Sequence, residues 1–162
     1  MVQAPPSRSS VILIAETVEV PTDRASVERQ LCDGGPSLLP FARAATSDGQ
    51  GQIVRVGPWV HGHPLGIPVN VLLAPCWARD GKVAIPMRWE AATFGSLFPV
   101  LDGTLLLSTI DESRCRLSLE ASYRVPLDRL GVLLDRALLH RVAETTVRSF
   151  LDRLSLELAQ GR

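Results

Sequence analysis

The sequence predicts an α+β domain: an antiparallel sheet followed by one long C-terminal helix. Three observations predict it. From Cys115 to Val125, apolar and polar residues alternate without a break, the pattern of a strand with one dry and one wet face. From Leu127 to about Ala159 the period becomes helical and no proline interrupts it. Between the first strand and the sheet lie two short helix-like segments, and turn signals divide the chain from Ile53 to Pro126 into strands. At 162 residues the chain is about one domain's worth, with enough length to bury a sizeable core. Residues 1–10 (MVQAPPSRSS) read as a mobile tail and residues 11–160 as a single domain.

In order, Val11 to Val20 is β-branched and apolar in both parities, so both of its faces are expected to be covered. Pro21 ends it. Thr22 is the expected N-cap of a short helix that turns Val27 and Leu31 inward, with Asp23 in its first turn. Gly34, Gly35 and Pro36 stop that helix, and a second short one is expected from Ser37 to Ala45. Ile53 to Val56 reads as a strand, and Gly57 to Pro68 as a loop or broken edge strand. Val69, Val71, Leu73 and Trp77 share one face of the next strand. Asp80-Gly81 is a two-residue hairpin signal. Lys82 to Ala91 alternates Val83, Ile85, Met87 and Trp89 inward, and Pro86 within it marks an edge or a bulge. Phe98 to Ile110 is a strand with an expected bulge at Asp102-Gly103. The final helix has one apolar stripe at Leu139, Ala143, Val147, Phe150, Leu151, Leu154 and Leu158. Its first half has a second at Leu127, Leu130, Leu134 and Leu138, so it must be covered on two sides or border a void or partner.

Seventeen basic residues balance seventeen acidic ones, so no general field attracts nucleic acid or anionic lipid. All the basic residues but Lys82 are Arg, a bias that GC-rich codon usage explains. No apolar run approaches a membrane span. The N-terminus has no apolar segment before a small-residue cleavage site, so no secretory leader is expected. Cys32, Cys76 and Cys115 are odd in number and scattered, which argues against a disulfide framework and for a reducing, cytoplasmic setting.

Three stretches carry a family resemblance: VEVP (Val18 to Pro21) running into the helix of Val27 and Leu31, RWEA (Arg88 to Ala91), and YRVP (Tyr123 to Pro126) followed by LGVLLDRALLHRVAE (Leu130 to Glu144). In this order the chain resembles the START-like, or SRPBCC, superfamily of helix-grip proteins, and closely its uncharacterised bacterial branch. The resemblance spans Val11 to Ala159 and is one of element order, since the superfamily has no universal catalytic signature. It implies a curved antiparallel sheet wrapped on the long helix, with an apolar cavity between them. Binders, cyclases and hydroxylase subunits share that fold, so it does not choose among them.

On that reading Val71, Leu73, Met87, Trp89, Leu117, Leu119 and Tyr123 line the cavity, Leu130, Leu134 and Leu138 close it, and Trp59 and Phe98 stand at its mouth. Trp and Tyr give such a wall an apolar body with a polar handle. The alternative is that these side chains fill one another's space.

His61 and His63 share a face if extended and would supply part of a zinc site, with Cys76, His140 or a carboxylate completing it; a solvated loop is the competing reading. Tyr123 is the candidate for acid–base work. Asp102 joins it if a bulge turns its carboxylate inward, whereas Arg88 and Glu90 face solvent. Cys115 reads as an inert buried thiol. Asp135-Arg136 and Asp152-Arg153 read as solvated flanks of the helix. No P-loop, G-x-G-x-x-G or G-x-S-x-G occurs, and no cofactor is expected.

The leading expectation is therefore a non-enzymatic binder of an apolar or amphipathic small molecule. A polyketide cyclase or dehydratase using the same cavity is the alternative. A dimerising interaction protein, using the Leu127, Leu130, Leu134 and Leu138 stripe, is the third.

Overall fold

The computed structural model describes residues 9–33, 43–44, 52–56, 59–60, 63–64, 67–91, 100–126 and 136–161. The chain opens with strand β1 (Ser9–Val20) and helix α1 (Arg24–Cys32). It continues through β2 (Arg43–Ala44), β3 (Gln52–Val56), β4 (Trp59–Val60), β5 (His63–Pro64), β6 (Ile67–Leu73), β7 (Trp77–Arg79) and β8 (Lys82–Ala91). β9 (Val100–Thr109), β10 (Cys115–Pro126) and helix α2 (Arg136–Ala159) complete it. One antiparallel sheet runs β1-β10-β9-β8-β6-β3-β2, with β7 on β8, while β4 and β5 pair with each other.

The regular registers set the inner face in rows. Ile12, Tyr123, Leu101, Trp89 and Val71 form one row across five strands. Ile14, Ala121, Gly103, Met87 and Leu73 form the next. Glu16, Leu119, Leu105 and Ile85 follow, then Val18, Leu117, Leu107 and Val83. Helix α2 lays Ala143, Val147, Phe150, Leu151, Leu154 and Leu158 into the core that these rows build. Each such side chain contributes roughly 1.5–3 kcal/mol of burial. The stripe of α2 read from the sequence is thus the buried one at all six of these positions.

The sequence expectations are corrected in several places. The first helix is capped by Asp23, not Thr22: Ser26 N–H donates to Asp23 Oδ1 at 2.9 Å and Ser26 Oγ to Oδ2 at 2.7 Å. Asp23 holds the cap position because its carbonyl accepts the first helical bond, from Val27 N–H at 3.3 Å, one residue later than the sequence places it. The expected second helix does not reach Ala45. Arg43 and Ala44 are extended and pair with Ile53 and Gln52, while residues 37–42 lie outside the described residues. Backbone pairing with β3 at this sheet edge outweighs the local helical pattern. The outer face of β1 is not covered: Leu13 is 75% exposed and Val11 46%. The N-terminal part of the expected long helix, residues 127–135, lies outside the described residues.

The expected bulge at Asp102-Gly103 is absent, and a different one is present. Pairing through β9 is unbroken on both sides. Gly103 is instead required for close approach, since a Cβ there would sit 2.7 Å from both Ala121 Cβ and the Glu120 carbonyl oxygen. The interruption lies between β6 and β7. Leu73 opposes Met87, but Trp77 opposes Ala84, so the β6–β7 side carries one extra residue around Pro75 and Cys76. That extra residue flips parity, and Trp77 faces outward, 48% exposed, instead of joining Val69, Val71 and Leu73. Pro86 is explained by the same feature. Ala74 N–H donates to the Pro86 carbonyl at 2.9 Å, so the missing Pro86 N–H faces the strand that breaks there. The Asp80-Gly81 turn is as the sequence predicts: both residues have positive φ, 50° and 74°.

The cysteine expectation is overturned outright. Cys32, at the end of α1, is bonded to Cys76 in the bulge, with Cα atoms 5.8 Å apart. Their 44-residue separation in sequence hides a contact that only the fold creates. The argument for a reducing, cytoplasmic setting rested on unpaired cysteines and falls with it. Cys115 remains free and buried, as expected. No described helix is long and apolar enough to cross a membrane.

Candidate functional site

The predicted wall residues that the structure describes lie on one face. Val71, Met87, Trp89, Leu117, Leu119 and Tyr123 are buried, and Leu73 packs against them partly buried. Register explains the grouping. Trp89 and Tyr123 both oppose Leu101 on β9 from either side, and Val71 opposes Trp89 from β6. Leu101, Ile12 and Phe150 belong to the same neighbourhood and were not among the predicted wall residues. The alternation of β9 alone signals Leu101, which shares parity with Leu105 and Leu107. Trp59 stands in the two-residue strand β4 opposite Pro64, and Leu138 in the first turn of α2. Phe98, Leu130 and Leu134 lie outside the described residues, as does Leu127.

The aromatic residues make the distinctive part of this face. Trp89 is fully buried and meets Phe150 edge-on, centroids 5.3 Å apart and planes at 74°. On its other side Tyr123 lies 6.5 Å away at 80°. Such edge-to-face contacts contribute about 0.5–1.5 kcal/mol each beyond burial. Buried polar atoms are otherwise satisfied here: Thr146 Oγ1 donates to the Val142 carbonyl at 2.7 Å, and Ser155 Oγ to the Glu19 carbonyl at 3.0 Å. Trp89 Nε1 is the exception on this face. Like Gln30 Oε1 on α1, it is buried and has no hydrogen-bond partner among the described residues. Burial pushes the Tyr123 phenol above its ordinary pKa, and the neighbouring Trp89 indole pulls it partly back. That pull is a donor's, so the indole N–H leans toward the phenol oxygen, yet it falls short of full hydrogen-bond geometry. An unmet buried donor costs about 1–3 kcal/mol, so the indole N–H is an expensive atom to leave without an acceptor.

The other chemical candidates are not assembled. Asp102 faces outward, because no bulge turns it, and Arg88 Nη1 holds it at 2.9 Å. Arg88 also reaches Glu90 at 3.8 Å, and Arg124 lies 3.9 Å from Asp102. This is a solvated network on the convex face, not a carboxylate in an apolar pocket. Cys76 is committed to its bridge, and His140 pairs with Glu144 at 2.9 Å along the helix. His63 lies in β5, and His61 lies outside the described residues. Among the described residues no group of three or more His, Cys, Asp or Glu converges on a metal position. Burial pushes the Cys115 thiol up to about 11, which leaves it a poor nucleophile at neutral pH. On the helix flank, Asp152 is exposed. Asp135 lies outside the described residues.

Two of the open grooves lined by described residues lie away from the concave face. One lies on the convex side of β1 and β10, beside Leu13, Ala15, Glu120 and Ser122. The other runs between α1 and the end of α2, where Gln30 Nε2 donates to the Leu158 carbonyl at 3.3 Å.

No family model matches the sequence, and a search of curated proteins finds no match. Solved structures do match over nearly the whole chain. A conserved protein of Geobacillus kaustophilus is 14% identical with a TM-score of 0.59, covering 92% of this chain and 96% of its own. A START superfamily protein of Mycobacterium smegmatis is 13% identical with a TM-score of 0.50, covering 91% and 94%. Norcoclaurine synthase of Thalictrum flavum, in complex with dopamine and hydroxybenzaldehyde, is 12% identical with a TM-score of 0.50, covering 95% and 90%. At these identities the likeness establishes fold. The sheet curled on its C-terminal helix is the START-like helix-grip fold.

Proposed function

We propose that this START-like fold binds an apolar or amphipathic small molecule against the concave face of its sheet, between Trp89, Tyr123 and the N-terminal part of α2. The observation that carries the reading is the buried Trp89 N–H, without a well-aligned acceptor among the described residues in a wall otherwise apolar but for the Tyr123 phenol. A packed core selects against such an atom, whereas a binding wall uses one as an orienting handle. The driving term is desolvation, about 25 cal/mol per Å² of apolar surface, less the cost of ordering the ligand. The norcoclaurine synthase complex adds support by analogy, because the same architecture there holds two small aromatic molecules.

Among the described residues, Tyr123 is the titratable side chain buried beside Trp89, which keeps a cyclase or dehydratase reading as the alternative. It would need a proton acceptor that Asp102, on the convex face, does not supply.

Native mass spectrometry of the protein purified from its own host tests the binding reading. An apolar adduct that leaves on denaturation is the expected result. A bare protein that also takes up no apolar fluorophore overturns it.

A further inference from the structure

We infer that the wall at Trp89 and Tyr123 recognises a neutral oxygen, of a carbonyl, ether or hydroxyl, carried on an apolar body. The inference rests on the binding reading above and narrows its ligand class.

The argument begins with donor inventory. An indole Nε1–H can only donate, and a phenol hydroxyl donates or accepts. Both groups stand on the inner face and flank Leu101 from opposite sides. Their rings are 6.5 Å apart, and the indole N–H leans toward the phenol oxygen without reaching full hydrogen-bond geometry. One oxygen seated between them would meet both. A carbonyl or ether oxygen accepts from both groups, and a bound hydroxyl fits as well, accepting from the indole while it donates to the phenol oxygen.

Charge decides the rest. The row runs from Ile12 through Tyr123, Leu101, Trp89 and Val71 to the uncharged Gln52 and Ala44, with Phe150 from the helix against Trp89. Glu16 is the only charged residue at an inward register position of the described strands. It sits two rows along, and Arg148 on α2 engages it at 3.9 Å. A carboxylate or phosphate placed beside Trp89 would lose its hydration and find no cation in that row. An ammonium would find a single neutral phenol oxygen and no carboxylate. Desolvation therefore rejects either charge, while a neutral acceptor replaces one hydration contact with two fixed donors.

Three naphthalene probes of one shape separate the alternatives: the acetyl ketone, its isopropenyl hydrocarbon counterpart, and naphthoate. Equilibrium dialysis at neutral pH is expected to show the ketone binding about tenfold tighter than the hydrocarbon. Naphthoate is expected to bind more weakly than either. In Trp89→Phe and in Tyr123→Phe the ketone's advantage should shrink while hydrocarbon affinity holds. Thermal unfolding of each variant confirms that it folds, and the wild-type selectivity carries the test by itself if one does not. Equal binding of ketone and hydrocarbon, or tightest binding of naphthoate, overturns the inference and leaves the binding reading standing. Failure of all three probes to bind overturns both.

Discussion

Single residues carry three consequences that experiments can reach. Gly103 is a close approach between strands, with no room for a Cβ against Ala121 and the Glu120 carbonyl. Gly103→Ala should lower stability by about 1–3 kcal/mol, because backbone must move to admit the methyl. Urea unfolding checks this, and an unchanged midpoint would show that the strands yield freely. The sequence reading of Asp102-Gly103 as a bulge failed for a physical reason: glycine marks both bulges and close approaches, and only register tells them apart. Stability should also fall at both ends of the pH scale. The Ser113 amide and hydroxyl and the Arg114 guanidinium hold the Asp111 carboxyl down at about 2. Its contribution is present above the ordinary carboxylate range and is lost as pH falls toward that value. Cys115 shifts the other way. Its contribution is present below the ordinary thiol value and is lost as pH climbs toward about 11, and Tyr123 acts in the same sense. Thermal melts across that range should show a plateau with two shoulders, and no alkaline fall would contradict the buried thiol.

At the scale of elements, the bulge and the bridge are one device. The extra residue at Pro75 and Cys76 brings Cys76 to the end of α1, and Val27 and Leu31 anchor that helix in the core. Breaking the bond should cost up to about 4 kcal/mol, the chain entropy of a loop of this length, through the unfolded state. Melting Cys32→Ser beside wild type, with and without reductant, checks it: the reductant should lower the wild-type midpoint and leave the variant unmoved. A thiol titration is equally direct. Denaturant alone should expose one thiol, and denaturant with reductant three. These features were only half legible in the sequence. Pro86 announced a break in the ladder, and Asp80-Gly81 fixed the hairpin that follows. Neither says which side of the hairpin carries the extra residue, and that choice sends Trp77 outward. The cysteine pairing was illegible, because 44 residues separate partners that only the folded sheet brings together.

For the molecule as a whole, alternation was the reliable guide. In β8, β9 and β10 one parity of each strand is buried row upon row, and the stripe on α2 fills the space above them. Period-2 and period-3.6 patterns report burial directly, so the order of layers followed from them. The site was legible only as a surface. Trp89 and Tyr123 could be placed on the inner face, but their meeting across Leu101 depends on pairing registers that local sequence does not encode. If a ligand occupies this face, it should raise the midpoint of unfolding in proportion to the logarithm of its concentration, since only the folded state offers the wall. The melts with the acetyl probe give that slope, and a flat response would deny binding to the native state. The bond between Cys32 and Cys76 also alters what a protease can do. It ties both ends of the stretch that carries β2 to β6, so one cut inside that stretch separates nothing. A nicked chain should run at full length on a non-reducing gel and fall into two fragments only once thiol is added.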